Sequence, residues 1–209
     1  MATTFLEDAA RTQAAEAVAA IETQTSAEVV VAVRASSGHY AHTDARVGAG
    51  LAFAVLMVLL FIPQEIHLAV FPLAVLLSFF AGVVASWGLP PLRRALTSRK
   101  LQEDAVRTAA RAAFTELGVS RTSRRTGILV FVSLLERRVE VVADHGVDTA
   151  ALGTEWQEAL AALSAALVAS PAPEPFFQAL RRIQPPLARV LPRMEDDVNE
   201  LPDLPGAAA

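Results

Sequence analysis

Residues 127–143, GILVFVSLLERRVEVVA, contain two short apolar segments separated by a polar turn, and this stretch decides the fold. The first segment, 127–134, is almost continuously apolar, which is typical of a strand buried on both faces. The second segment, 138–143, carries three valines and is also predicted to be a strand. Because only Leu135, Glu136 and Arg137 separate them, the two strands are predicted to pair as an antiparallel hairpin. The charged tip of this hairpin, 136–138, is interpreted as a solvated turn with local ion pairs, and a charged recognition edge is the alternative.

A third strand is predicted near the start of the chain, at 28–34 (EVVVAVR), where β-branched apolar residues again indicate burial on both faces. Helices are predicted on both sides of the strands from apolar residues that recur every three or four positions. Two of these helices begin with sequences that fit a capping box, Thr4 with Glu7 and Thr154 with Gln157. The predicted helices cover 4–24, 98–117, 154–169 and a proline-interrupted segment from 174 to 191. This alternation predicts an α/β fold with one small sheet.

Two apolar runs lie between the first strand and the other two. No Asp, Glu, Lys or Arg occurs in the 18 residues of 47–64 or in the 27 residues of 66–92. As helices these runs would reach about 27 Å and 40 Å, against a hydrocarbon core of about 30 Å. A core helix of a soluble protein is the alternative, but such a helix normally has a polar stripe and neither run shows one. The runs therefore predict a transmembrane helical hairpin.

Basic residues flank the two apolar runs on one side only. Arg46 precedes the first run, and Arg93, Arg94, Arg99 and Lys100 follow the second, whereas the link between the runs carries Glu65 and His67. The positive-inside rule then predicts a two-pass protein of the cell (inner) membrane with both termini and the soluble domain in the cytoplasm. The opening sequence MATTFLEDAARTQ lacks a basic start and an apolar core, so we expect no signal peptide there.

The order of these elements predicts that the membrane segment is an insertion within one domain. A sheet without its first strand would leave apolar faces uncovered, so the first strand is expected to join the two that follow the hairpin. The expected organisation is a first part of the domain at 1–45, the transmembrane hairpin at 46–92, the remainder of the domain at 93–193 and an acidic tail at 194–209. The tail is expected to be solvated, with Leu201 and Leu204 as apolar contacts to the domain.

Composition restricts the classes of function. The chain of 209 residues contains no cysteine, which excludes disulfides, thiol catalysis and Cys-ligated zinc. Its net charge of −4 gives no electrostatic support for nucleic-acid binding, and no nucleic-acid partner is expected. The GxSxG, GxxxxGK[ST], GxGxxG and HExxH motifs are all missing.

The sequences TSAEVVVAV (25–33) and GVSRTSRRTGILVFVSLLERRVEVVADHGV (118–147) resemble the TPM domain, a family named for a thylakoid lumen protein, a photosystem II repair protein and a nematode receptor modulator. The stretch FFQALRRIQPPLARVLPRMEDDVNELPD (176–203) is similar to the ending of bacterial membrane-anchored members. The resemblance implies an α/β/α sandwich with a small mixed sheet. It implies function less sharply, because members are described as acid phosphatases, as calcium binders, or as assembly, repair and modulatory factors of membrane complexes.

Three carboxylates at strand ends are candidate ligands of a hard cation such as Ca²⁺ or Mg²⁺. Asp144 ends the last strand within the A-D-x-G sequence that matches the family, Asp148 follows four residues later, and Glu28 begins the first strand. The alternative is that Asp144 and Gly146 only form the turn after the strand, since both residue types favour turns. No EF-hand spacing is present, so no cofactor is established beyond this candidate cation.

Five arginines are candidate contacts for an anion or a lipid head group. They are the two residues after the second apolar run and three in the loop before the strand hairpin: Arg93, Arg94, Arg121, Arg124 and Arg125. Together these features predict a membrane-anchored, non-enzymatic binding, assembly or modulatory module, with membrane lipid and a membrane protein as its partners. The alternative is a metal-dependent, acid-phosphatase-like hydrolase that uses Asp144 with Glu28 or Asp148.

Overall fold

The computed structural model describes residue 5 and residues 7–64, 66–170, 172–194 and 199–201. The chain divides into two compact units, one formed by residues 1–37 with 103–209 and the other by residues 38–102. The strands are β1 (Glu28–Arg34), β2 (Gly127–Ser133) and β3 (Arg138–Ala143). The helices are α1 (Asp8–Glu22), α2 (Ala41–Phe61), α3 (Val70–Gly88), α4 (Pro90–Leu96), α5 (Arg99–Glu116), α6 (Gly153–Ala169), α7 (Pro173–Leu180) and α8 (Gln184–Val190).

The first unit is built around a mixed sheet with the strand order β1-β2-β3. β1 runs parallel to β2, with Val30 opposite Leu129, and β2 runs antiparallel to β3, with Phe131 opposite Glu140. A parallel pair requires a long crossover, and here the chain between β1 and β2 includes the whole second unit. The α/β fold with one small sheet, predicted from the strand pattern, is therefore confirmed, and the sheet is mixed as the resemblance implies.

Helices cover both faces of this sheet, which gives three layers. One face presents Val29, Val31 and Ile128 to α1, α6, α7 and α8, and the largest buried side chains of that layer include Phe176 and Leu163. The opposite face, lined by Ala32 and Phe131 among others, packs against α5. Burial on both faces explains why β1 and β2 are apolar at every central position rather than at alternate ones.

The second unit contains two helices that are long and apolar enough to cross a membrane. The most apolar 18-residue windows of α2 and α3 have mean hydropathies of 1.9 and 2.1, and only 17% and 11% of these windows is buried. The two helices approach closely where Gly82 of α3 meets Gly48 of α2, since a Cβ on Gly82 would lie 2.8 Å from the Cα of Gly48. Small residues at such a crossing let helix backbones pack together.

Some predicted helix ends are wrong. The helix predicted from residue 4 begins at Asp8, and Thr4 of its proposed capping box lies outside the described residues. α6 begins at Gly153 with Leu152 at the N-cap and no side-chain cap, so Thr154 already lies inside the helix. Pro90 and Pro91 follow the end of α3 as expected, but they also open the short helix α4, because proline fits the first helical positions.

Candidate functional site

A buried carboxylate lies at the end of the helical hairpin where the chain enters and leaves it. Asp44, on the first turn of α2, is 5% exposed. Its Oδ1 accepts a hydrogen bond from the Ser86 hydroxyl at 2.7 Å, and its Oδ2 accepts from Trp87 Nε1 at 3.1 Å. Arg93 Nη2 completes the set with an ion pair of 2.8 Å to Oδ2. One side chain of α2 thereby joins the end of α3 to α4.

Further polar contacts hold the same end of this unit together. The Arg93 guanidinium lies over the Tyr40 ring, 5.5 Å from its centroid, at a distance typical of a cation–π contact. The hydroxyls of Thr43 and Thr97 are 3.0 Å apart. Gln102 Nε2 donates to the carbonyl oxygens of Arg94 and Thr97 at 2.8 and 2.9 Å, so the turn after α4 folds back on that helix. We call Asp44 and its three donors the Asp44 clasp.

The candidate anion contacts Arg93 and Arg94 have different surroundings. Arg93 is engaged by Asp44, whereas the Arg94 side chain is half-buried one position further along α4. Arg46, Arg99 and Lys100 are exposed at the same end of the unit. The other three candidates, Arg121, Arg124 and Arg125, belong to the first unit.

The candidate cation ligands Glu28 and Asp144 lie in one row across the sheet. Glu28 stands opposite Gly127 at the start of β2, and the Asp144 N–H donates to the Gly127 carbonyl at 2.9 Å. Residues in register point to the same face, so both carboxylates face the α5 side with about 10 Å between their strands. The residue between Glu28 and Asp144 in this row is Gly127. A Cβ at this position would overlap the carbonyl oxygen of Val119, which explains why it is glycine.

Asp144 is the more enclosed of these carboxylates, at 6% exposed. Its Oδ1 accepts from the His145 N–H at 2.8 Å, whereas its Oδ2 is buried without a hydrogen bond and lies 3.7 Å from Arg125 Nη1. Asp148 does not join the row, because its Oδ1 caps a turn by accepting from the N–H groups of Ala150 and Ala151. Among the described residues, no group of three or more His, Asp or Glu side chains is placed to hold a metal ion.

The loop that carries Arg121, Arg124 and Arg125 is exposed and contacts the C-terminal segment. Ser123 donates to Glu200 through its hydroxyl at 2.6 Å and through its backbone N–H at 2.9 Å. The Ser123 hydroxyl, and then its N–H, lower the pKa of the Glu200 carboxyl. Arg124 Nη1 lies 2.7 Å from Met194 Sδ. Leu201 packs on the adjacent core, as expected for a tail that touches the domain, and Leu204 lies outside the described residues.

The tip of the strand hairpin differs from the solvated turn predicted for it. Glu136 is 4% exposed, and its Oε1 accepts from the Ser37 N–H at 3.1 Å and from the Ser36 hydroxyl at 3.3 Å. Its Oε2 accepts from the buried Ser133 hydroxyl, which lies 2.6 Å from the Ser37 hydroxyl. Interpreting Glu136 as solvated was wrong, because these three serines replace the water that a buried carboxylate needs.

The sequence pattern did not reveal Asp44 or the partners of Glu136. Asp44 lies just before Arg46, outside the uncharged run, and nothing local distinguishes it from an ordinary residue flanking a membrane segment. One signal was present: a carboxylate just before the first apolar run is matched by a serine and a tryptophan near the end of the second run and by an arginine directly after it, which is the composition of a polar contact at a hairpin base.

Comparison with known proteins supports the fold and reaches no further. No family model matches the chain, and no curated protein matches it. A solved structure that it resembles is the NMR structure of the BA42 protein from the psychrophilic bacterium Bizionia argentinensis sp. nov., with a TM-score of 0.57 at 15% sequence identity. The match covers 96% of this chain and 94% of that one. At this identity the likeness concerns the α/β fold alone.

Proposed function

We propose that this protein is a TPM-domain member anchored in the cell membrane by α2 and α3, and that its first unit binds and stabilises partner membrane proteins. The supporting observation is the surface of the hairpin: its side chains are apolar, and most of them are not covered within the chain. Exposed apolar surface of this extent is not tolerated in water and suits lipid. Large side chains on both helices are exposed, among them Phe53 (61%), Leu77 (60%) and Phe80 (56%).

The insertion of the hairpin within the first unit supports a role at the membrane surface. The chain leaves that unit after residue 37 and returns to it at residue 103. The unit would therefore be tethered to lipid by two covalent connections and could not diffuse away from membrane partners. The resemblance to the TPM domain supports a binding role, since that family includes assembly, repair and modulatory factors. The excess of basic residues beside the hairpin supports a cytoplasmic location.

Site-specific photo-crosslinking in intact membranes tests this function. A photoreactive phenylalanine analogue is placed at Phe53 or Phe80 in the hairpin, or at exposed Val168 in the first unit. We expect a discrete protein adduct from at least one position and not from all of them, and we expect co-expressed unlabelled wild-type chain to compete it away. Adducts with lipid only, or protein adducts of equal strength at every position, would contradict the binding role.

A metal-dependent phosphatase is the second candidate, supported by the buried Asp144 Oδ2 that lacks a hydrogen bond. A divalent cation at this sheet edge would take Asp144 and Glu28 as ligands and would supply an activated water. Hydrolysis of p-nitrophenyl phosphate is measured with Ca²⁺, with Mg²⁺ and with chelator. Cation-dependent hydrolysis that is lost in Asp144→Asn and kept in Asp148→Asn would support the phosphatase. Hydrolysis that is absent, or unaffected by Asp144→Asn, would reject it.

A further inference from the structure

We propose that the end of the helical hairpin that carries the Asp44 clasp binds the head groups of anionic phospholipids. This inference goes beyond partner binding, because it assigns a ligand class to a surface of the second unit. It rests on four observations within residues 38–102: the charge of this end, the residue that the clasp neutralises, the turn that gathers the remaining basic residues, and the leucines between them.

The charge balance of this unit is strongly positive at one end. Residues 38–102 contain five basic residues and two acidic ones, Asp44 and Glu65, which gives a net charge of +3 with the histidines neutral, and in the sequence Glu65 belongs to the link between α2 and α3. Asp44 is committed to Arg93 at 2.8 Å, so this pair is internally neutral. The other four basic residues of the unit are Arg46, Arg94, Arg99 and Lys100.

The polar contacts of the unit place these four residues at the same end. Arg46 follows Asp44 by two positions on α2, and Arg94 adjoins Arg93 on α4. Gln102 bonds to the carbonyls of Arg94 and Thr97, and this fold of the chain keeps 99–100 beside α4. At the other end of the hairpin, the described link residues 62–64 and 66–69 contain no Lys or Arg.

Leucines alternate with the basic residues on this surface. Leu92 is 37% exposed, Leu96 45% and Leu101 47%. Exposed leucine beside arginine and lysine is the pattern of a segment that lies at the boundary between head groups and acyl chains. An arginine also offers several N–H donors to the oxygens of one phosphate. The combination favours an anionic lipid over a soluble anion, which would not use the leucines.

Trp87 provides a reporter at the proposed site. The chain has two tryptophans, and Trp156 is buried in the first unit, so Trp156→Phe leaves Trp87 alone, 62% exposed and bonded to Asp44. The Trp156→Phe protein is reconstituted in mixed vesicles of phosphatidylglycerol and phosphatidylcholine. In one set the phosphatidylglycerol is brominated, and in the other set the phosphatidylcholine is brominated. Bromine quenches tryptophan only at short range, so the ratio of the two quenching curves measures which lipid occupies positions beside Trp87.

We expect phosphatidylglycerol to quench Trp87 about threefold more effectively than phosphatidylcholine at equal mole fraction, and the preference to fall as salt is added, because screening weakens attraction by basic residues. Replacement of Arg94, Arg99 and Lys100 together by glutamine should reduce the ratio to about one. Replacement of Arg107, Arg111 and Arg182, three basic residues of the first unit, by glutamine removes the same charge and should leave the ratio unchanged.

Two outcomes would overturn the proposal: equal quenching of Trp87 by the two lipids in the parent protein, or the same fall in the quenching ratio in both triple variants. Absence of quenching by either lipid would instead show that the hairpin is not in the bilayer, which would contradict the membrane anchor itself.

Discussion

Asp44 accepts hydrogen bonds from three groups at once, and two of them are largely removed from water. Ser86 is fully buried, and the Arg93 side chain is 22% exposed and close to Tyr40. A carboxylate with this environment contributes mainly by preventing buried donors from remaining unsatisfied. Its role is therefore to hold the start of α2 against the end of α3 and against α4.

Asp44→Ala should destabilise the hairpin by about 2 kcal/mol or more, because Ser86 loses its acceptor and Arg93 loses its counter-charge. Thermal unfolding in detergent is followed by the emission of Trp87 in the Trp156→Phe protein, since Trp87 itself donates to Asp44. Asp104→Ala is the control: it also removes one carboxylate, at an exposed position on α5, and it should leave the unfolding temperature unchanged. Equal transitions for the two variants would show that the clasp does not stabilise the hairpin.

Glu136 is a buried carboxylate of the first unit that, like Asp44, accepts several hydrogen bonds, and its removal should destabilise that unit. Glu136→Ala removes the buried carboxylate that accepts from the Ser133 hydroxyl and the Ser37 N–H, for an expected loss of about 1–3 kcal/mol in the free energy of unfolding. Glu136→Gln keeps an amide oxygen for Ser37 and should lose less. Urea unfolding is measured by the emission of Trp156, which is 3% exposed, in a Trp87→Phe background.

Glu140→Ala is the control for this prediction. Glu140 lies on β3 near Glu136, but its side chain is 36% exposed and its ion pair with Arg107 is 4.0 Å long. Surface pairs of this kind contribute between zero and about 1 kcal/mol. If Glu140→Ala proved as destabilising as Glu136→Ala, the buried serine contacts would not be the source of the effect.

The α2–α3 pair depends on a close approach at Gly82. A Cβ there would lie 2.8 Å from the Gly48 Cα and 3.0 Å from the Val47 carbonyl oxygen, both backbone atoms that cannot rotate away. Gly50 on α2 has open space around its Cα and is the matched glycine. The two positions separate the effect of helix packing from the effect of replacing glycine in a helix.

Gly82→Ala should push the helices apart and destabilise their contact by about 1–3 kcal/mol, as overpacking does. Gly50→Ala should be neutral or stabilising by up to about 1 kcal/mol, since alanine is the better helix former. Because the chain has no cysteine, spin labels can be attached at Phe53→Cys and Leu77→Cys, one on each helix. The distance distribution should lengthen or broaden in Gly82→Ala only. An unchanged distribution would show that the hairpin accommodates a methyl group at this crossing.

At the scale of elements, periodicity and residue type predicted what local physics determines. The three strands and the two apolar helices follow from continuous β-branched or apolar runs, and the structure places them at nearly the predicted bounds. Local patterns did not predict the burial of a side chain whose hydrogen-bond partners are distant in the sequence. Glu136 bonds to Ser36 and Ser37, which precede it by 100 and 99 positions, and Asp44 bonds to residues that follow by 42 to 49 positions. Such pairs exist only after the fold has formed, so no window of sequence contains both members.

At the scale of the whole molecule, the chain joins two units that have opposite requirements. The first unit buries its apolar side chains between a sheet and its helices, whereas the second leaves its apolar side chains exposed. Hydrophobic burial explains the first arrangement in water, and the second arrangement suits the lipid environment that we propose for it. Because the polypeptide passes from one unit to the other twice, a membrane crossed by both α2 and α3 would leave both connections to the first unit on the same side.

That side is predicted to be the cytoplasm, since the four basic residues outside the clasp all flank the hairpin at this end. In a chain without native cysteine, Gln64→Cys marks the link and Gln157→Cys marks the exposed surface of α6. A membrane-impermeant maleimide added to intact bacterial cells should label position 64 alone, and it should label position 157 only after permeabilisation. Replacing Arg93, Arg94, Arg99 and Lys100 by glutamine should weaken this asymmetry, because basic residues near the ends of membrane helices set their orientation. Labelling of position 157 in intact cells would reverse the topology and would place the first unit, with any partner it binds, on the outer side of the membrane.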